Sequence, residues 1–264
     1  MNLQLEGKLA LVTGSTAGIG FAIAKALAAE GARVVINGRT ETRVNEAITS
    51  IRAEIPTAKV EALALDLSKA LTAAEAGERF PDVSILVNSL GVYFPKPFEE
   101  ITDPEWASII ETNFMSGVRL SRYYLPRMRA ANWGRIIFIS SESAVNIPVE
   151  MIHYGVTKTM QVALARGLAE TTAGTRVTVN SILAGPTRSE GVEEFIADLA
   201  KTKHVTPAAV EKEFFTTARP SSLLQRFATP DEVAALVAFV ASPLSSATNG
   251  AALRAEGGVV RSIV

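Results

Sequence analysis

The chain contains no cysteine, which excludes disulfides, thiol nucleophiles and cysteine-ligated metal centres. Histidine is nearly absent too: only His153 and His204 occur. They stand alone, so a histidine-rich metal site is not expected. No uninterrupted apolar run reaches the length of a bilayer span. The opening MNLQLEGKLALVTGSTAG runs from polar residues straight into a strand-like segment. It has no basic n-region, no long apolar core and no small-residue cleavage site. Neither sign of charge dominates, with 26 Lys+Arg against 27 Asp+Glu and a formal net charge of −1. No run of Lys or Arg is present, so neither nucleic acid nor an anionic membrane is expected as a partner. A cytoplasmic protein is the simplest expectation.

What the chain has is apolar content: 48% of its 264 residues are hydrophobic, enough for a sizeable core in one large α/β domain spanning 1–264. Short β-branched runs alternate with longer helical patterns. Strands are expected at 8–13, 32–37, 60–66, 84–88, 135–140, 176–183 and 251–256, the early ones apolar nearly throughout, as burial on both faces of a sheet requires. Helices are expected at 20–31, 41–54, 69–79, 104–130, 152–173 and 230–241. TDPEW (102–106) and TPDEV (229–233) carry the capping residue, early proline and acidic first turn of helix starts. This alternation implies a parallel sheet built from right-handed crossovers and covered on both faces. A polar, helix-prone insert at 189–220 follows the sixth strand. It reads either as a solvated surface excursion or, as long inserts in compact domains favour, as a lid over a ligand at the carboxyl ends of the strands.

TGSTAGIG (13–20) lies between the first strand and the first helix. Gly14 permits a tight turn, Gly18 lets backbone approach a ligand and Gly20 allows close packing of the helix. Amides at a helix start, with its positive dipole end, suit a pyrophosphate. INGRT (36–40) closes the second strand with Gly38 and Arg39, where an acidic residue would bind the adenosine ribose of NAD. An arginine there suits a 2′-phosphate, so NADP(H) is favoured, with NAD(H) as the alternative.

HYGVTK (153–158) places Tyr154 and Lys158 four positions apart, on one helix face. Alone the pair reads equally as a snorkelling lysine beside a half-buried ring. Together with TGSTAGIG, LDLS (65–68), NSLG (88–91), ETNFMSG and ISSES, it makes the whole chain resemble the short-chain dehydrogenase/reductase family. That resemblance implies a single-domain, Rossmann-type, doubly wound sheet of about seven parallel strands with helices on both faces and a helical lid near 189–220. It implies Asn113, Ser141, Tyr154 and Lys158 as the catalytic set. It implies cofactor contacts at Gly14, Ser15, Thr16, Gly18, Ile19 and Gly20, then Arg39, Asp66 and Leu67, then Asn88 and Gly91, with Tyr154, Lys158, Gly185 and Thr187 completing the site. No metal is implied, and the assembly implied is a homotetramer or homodimer with contacts through the helices at 104–130 and 152–173.

In this reading the Lys158 ammonium favours the phenolate and lowers the Tyr154 pKa toward neutrality. Ser141 donates to the substrate oxygen. Asn113 binds a water linking Lys158 to solvent, and NFMSG supports a kink that exposes backbone carbonyls. The implied activity is reduction of a ketone or 3-oxoacyl-type carbonyl to a secondary alcohol. An alcohol, polyol or sugar dehydrogenase and a non-catalytic nucleotide sensor are the alternatives. His153 should point away from Tyr154. Val92, Tyr93, Ile147, Met151 and Phe195 are candidates for a partly hydrophobic pocket. Departures from the family pattern are Ser89 and Leu90, Ala184, Ser189 and a short span between Asp66 and Asn88.

Overall fold

The computed structural model describes residues 2–263, the Phe195 side chain excepted. All seven expected strands form: β1 Leu9–Val12, β2 Arg33–Gly38, β3 Lys59–Ala64, β4 Ile85–Asn88, β5 Gly134–Ser141, β6 Val177–Ala184 and β7 Ala252–Ala255. They build one sheet in the order β3-β2-β1-β4-β5-β6-β7, and every pairing is parallel. The order reverses between β1 and β4, which opens a crevice at their carboxyl ends.

Strand alternation sorts side chains into two cores. Ala10 and Val12 of β1 join Ile23 and Leu27 of α1 (Gly18–Ala29), Val44 and Ile51 of α2 (Glu41–Glu54) and Val237 of α9 (Pro230–Ala241). Leu9 and Leu11 face the other way. They join Ala76 of α3 (Ala70–Arg79), Leu120 and Tyr124 of α5 (Ser116–Ala130) and Ala165 of α6 (Ile152–Glu170). Each fully buried Leu or Ile contributes about 1.5–3 kcal/mol, so a charge at Leu11 would strongly destabilise the second core.

The helix starts behave as their sequences suggest. Thr229 Oγ1 accepts from Glu232 N at 3.2 Å, while Thr229 N donates to Glu232 Oε2 at 2.8 Å, a reciprocal cap. α3 has ten residues. It lies flush on α5: a β-carbon on Gly77 would come within 2.8 Å of the Tyr123 ring.

The helix expected at 104–130 is not continuous. It divides into α4 Asp103–Ile110, a π turn Glu111–Met115 and α5. The insert forms α7 Glu190–Lys203 and α8 Pro207–Thr217, with an apolar cluster of their own built on Ile196, Ala200, Val210, Phe215 and Phe227. No helix among the described residues is long and apolar enough to cross a membrane.

Candidate active site

The glycine turn after β1 is held in place by its neighbours. Gly14 and Gly18 have φ of +62° and +56°, the left-handed region that glycine enters without penalty. A β-carbon on Gly20 would meet the Gly14 carbonyl at 2.3 Å, so α1 starts directly on the turn. Its N-cap, Ala17, offers no side-chain cap, which leaves first-turn amides of α1 for a ligand. Asn37 anchors the turn from β2: its Oδ1 accepts from Gly14 N at 3.1 Å, and its Nδ2 donates to the Leu63 and Leu65 carbonyls, each at 3.0 Å. Ser15 points inward. Its hydroxyl donates to the Val12 carbonyl at 2.7 Å and accepts from Asn37 N at 2.9 Å. It therefore staples β1 to β2.

Arg39 is exposed just past β2, Thr16 and Ile19 are half-buried at the turn, and Leu67 is buried in the core. Asp66 Oδ1 accepts from Ser68 N at 3.1 Å and from Ser68 Oγ at 2.7 Å. Burial works to raise the Asp66 carboxyl. The Ser68 hydrogen bonds, helped by the Lys69 and Arg39 charges, outweigh it and hold the group below the usual carboxylate range.

At the end of β4, Thr13 Oγ1 accepts from Ser89 N at 2.9 Å and Leu90 N at 3.0 Å. The departure at 89–90 is thus absorbed by backbone contacts. Asn88 is buried with both amide atoms unpartnered. Gly91 borders the catalytic candidates, since a β-carbon there would lie 3.5 Å from Lys158 Nζ and 3.6 Å from Asn113 Oδ1. Gly185 presses against β7, where a β-carbon would come 2.5 Å from the Glu256 carbonyl. Ala184 stays in strand β6, and Thr187 Oγ1 donates to the Gly185 carbonyl at 2.9 Å.

Asn113 sits within the π turn, the local irregularity that NFMSG suggests. Its Oδ1 accepts from Val92 N at 2.8 Å, and its Nδ2 donates to the Val92 carbonyl at 2.9 Å and Thr157 Oγ1 at 3.1 Å. The Asn113 carbonyl accepts from Gln161 Nε2 at 2.5 Å. Lys158 is buried and donates to the Ile139 carbonyl at 2.8 Å and, over a longer 3.4 Å, to Gln161 Oε1.

Tyr154 and Lys158 are neighbours, with Nζ 5.6 Å from the ring centroid. The expected lowering of the phenol does not occur. Burial pushes the Tyr154 hydroxyl up to about 12; a hydrogen bond with Ser141 opposes this, while Glu142 and Tyr93 add to it and Arg219 counters them. Burial alone brings Lys158 down to about 8. Desolvation of both groups outweighs the attraction that spacing alone suggests.

Glu142 directly follows Ser141 and is 3% exposed. Its Oε1 accepts from Arg219 Nε at 2.8 Å, and Arg219 Nη1 reaches Glu150 Oε1 at 3.3 Å. This ties the end of the insert to the loop around Ser141. Arg43 of α2 pairs with Glu190 of α7 at 3.2 Å, so the insert is fastened at both ends of the crevice. Ser189 caps α7 by accepting from Val192 N at 3.4 Å. Val92, Tyr93 and Ile147 are exposed apolar groups near Tyr154, and the Tyr93 ring meets the Tyr154 ring edge-on at 5.9 Å. Phe195, expected in the pocket, has its side chain outside the described residues. His153 faces away from this cluster, buried against Phe94 at 4.4 Å and Trp106 at 6.0 Å between ring centroids.

The family profile for short chain dehydrogenases matches residues 8–200. The chain belongs to the short-chain dehydrogenase family. It is 48% identical over its whole length, and over all of the relative's, to the oxidoreductase YvaG of Bacillus subtilis. It is 33% identical to the D-beta-hydroxybutyrate dehydrogenase of Cupriavidus necator, covering 97% of this chain and 99% of that one. The L-sorbose reductase of Gluconobacter frateurii, solved with NADPH and L-sorbose, superposes with a TM-score of 0.92 at 28% identity, all of both chains being covered.

The family's nicotinamide cofactor fits the residues present. Uncapped amides at the start of α1, left-handed glycines that bring backbone to the surface and an unpartnered Asn88 amide lie along the crevice at the strand switch. Sequence reasoning missed Thr13, Asn37, Gln161, Glu142 and Arg219. The only signal for Thr13 and Asn37 was a polar residue closing an apolar strand.

Proposed function

We propose that this short-chain dehydrogenase family member is an NADP(H)-dependent reductase, one catalytic domain over residues 1–264, which converts a ketone or 3-oxoacyl-type carbonyl to a secondary alcohol. The observation that carries the reading is Tyr154 set beside Lys158, with Nζ 5.6 Å from the ring centroid. Its phenol, pushed up to about 12 by burial, stays protonated near neutrality and can donate to a carbonyl oxygen. Ser141 orients that oxygen and polarises the carbonyl. Lys158 holds a ribose hydroxyl and restores the proton, and the π turn at Asn113 supports Lys158 from behind. A bound nicotinamide supplies the hydride chemistry. First-turn amides of α1 take the pyrophosphate, and Arg39 takes a 2′-phosphate. Support for NADP(H) comes from Gly38 and Arg39 at the end of β2 and from the NADPH complex of the sorbose reductase. The apolar groups Val92, Tyr93 and Ile147 favour a partly hydrophobic substrate.

A second reading, oxidation of a hydroxy acid or polyol, draws support from the similarity to the hydroxybutyrate dehydrogenase. The protein is further proposed to assemble as a homotetramer or homodimer through α5 and α6. The deciding experiment follows NADPH and NADH consumption across ketones, ketoses and 3-oxoacyl thioesters, and their formation from NADP+ and NAD+ across the matching alcohols, with Tyr154→Phe as control. Carbonyl reduction that vanishes in the control is expected. Alcohol oxidation with no reduction of any carbonyl would favour the second reading.

A further inference from the structure

Gln161 lies one helical turn beyond Lys158 on α6, and it is 1% exposed. A buried primary amide is costly unless both its donor and acceptor sides are used. Both are used, and by the machinery around Tyr154. The Nε2 end donates to the Asn113 carbonyl at 2.5 Å, and the Oε1 end accepts from Lys158 Nζ at 3.4 Å. Carbonyl groups inside a regular helix are already occupied by the following turn. The π turn Glu111–Met115 interrupts that pattern at Asn113, and π turns recur at functional sites for this reason. The amide therefore bridges a carbonyl in the interrupted helix and the ammonium of the neighbouring one.

We propose that Gln161 is the positioning residue for Lys158, locking its ammonium between the Asn113 carbonyl side of the π turn and the Ile139 carbonyl of β5. An ammonium has three N–H donors. The Ile139 carbonyl and Gln161 Oε1 take two of them, so the third is the one left for a ribose hydroxyl. The amide's polarity is set from the far side: because Nε2 must face the Asn113 carbonyl, Oε1 must face Lys158. A flipped amide would put two donors against an ammonium and a carbonyl oxygen against another. Gly91 closes the remaining side, with no side chain to intrude on Nζ.

The groups packed around Nζ are Tyr154 and Gln161 of its own helix, Asn113 of the π turn, Gly91 after β4 and the Ile139 carbonyl. Tyr154 is the titratable member among them. Burial is the cause of the lowered Lys158 pKa, so a charge placed at position 161 would act on Lys158 with little competition.

This inference rests on the proposed role of Lys158, but its test does not. In cofactor-free protein labelled with 13Cε-lysine, NMR follows the Lys158 titration directly. Gln161→Glu keeps an acceptor near Nζ and brings a carboxylate. It is expected to raise the Lys158 pKa by about one unit or more. Gln161→Met keeps shape and removes both hydrogen bonds. In that variant kcat for carbonyl reduction should fall about tenfold with KM for substrate within about twofold. Thermal melting and circular dichroism check folding of each variant. An unchanged Lys158 titration in Gln161→Glu, or kcat and its pH profile unchanged in folded Gln161→Met, overturns the proposal. A parent protein without turnover, in which the titration still shifts as expected, would instead remove the proposed function and leave the positioning intact.

Discussion

A β-carbon on Gly38 would lie 2.5 Å from Thr16 Cγ2, so the end of β2 and the glycine turn interlock at the point where an acidic side chain would otherwise stand. Arg39 follows as the exposed group. Arg39→Glu is accordingly expected to weaken NADPH by about tenfold or more while NADH changes little. Fluorescence titration with the two cofactors tests it, and equal losses for both would remove Arg39 from phosphate recognition. Gly38→Asp is expected to lower the melting temperature before it gains any affinity for NADH, because Thr16 must move.

The proton chemistry carries a pH signature. Lys158 sits at about 8 and Tyr154 at about 12. Carbonyl reduction should be flat through neutrality and decline above about pH 8, as Lys158 loses the charge that holds the ribose. Lys158→Met should abolish turnover and leave the melting temperature unchanged or a few degrees higher, since a desolvated ammonium is replaced by an apolar chain of similar length. A kcat profile rising through that range, or a strongly destabilised variant, would contradict this account.

His153 adds acid sensitivity to the fold. It is fully buried with neither ring nitrogen partnered, and burial lowers its pKa, with Glu105 opposing and Lys96 reinforcing the shift. The unfolded chain therefore binds a proton near pH 6.5 that the folded chain refuses. Stability from this residue is complete above that pH and is lost as pH falls toward the folded pKa. Melting temperatures of the parent should drop between pH 7 and 5 more steeply than those of His153→Phe. Parallel curves would show that His153 is not the sensor.

The ion pair between Glu142 and Arg219 is nearly solvent-free, at 3% and 9% side-chain exposure. Burial dominates at Glu142 and raises its carboxyl despite Arg219. Burial also works against Arg219, where Glu142 and Glu150 together prevail and raise the guanidinium. Arg219→Leu leaves a buried carboxylate uncompensated and should cost about 3–5 kcal/mol in denaturant unfolding. Glu142→Gln should cost less. Similar small losses for both would mean that the insert is fastened chiefly by its own apolar cluster.

The sheet was legible because β1 and β4 are buried on both faces and read as short apolar runs, and because β5 keeps the apolar stretch Ile136–Ile139 at its centre. The glycines were legible through spacing, and Tyr154 and Lys158 through the resemblance carried jointly by motifs along the whole chain. Other features depend on surroundings rather than on spacing. A threonine or asparagine closing an apolar strand looks the same whether it meets water or, like Thr13 and Asn37, organises a turn. Ser15 was visible by its position in the turn, but the hydrogen bonds by which it joins β1 to β2 were not. The Tyr154 pKa went the opposite way because desolvation depends on every atom packed around the phenol. Gln161 carried no signal, as an amide on a helix is ordinarily solvated.

The π turn also fixes phase. Each residue of an α-helix advances by about 100° around the axis, and a π turn takes one residue more than a regular turn, so the extra residue is absorbed locally and α5 keeps Leu120 and Tyr124 in the second core. Deleting a single residue within 111–115 would let the helix wind regularly with those two side chains still buried, while the Asn113 carbonyl would return to the helix ladder and leave Gln161 without its acceptor. The second core tolerates a straighter helix, and the site does not.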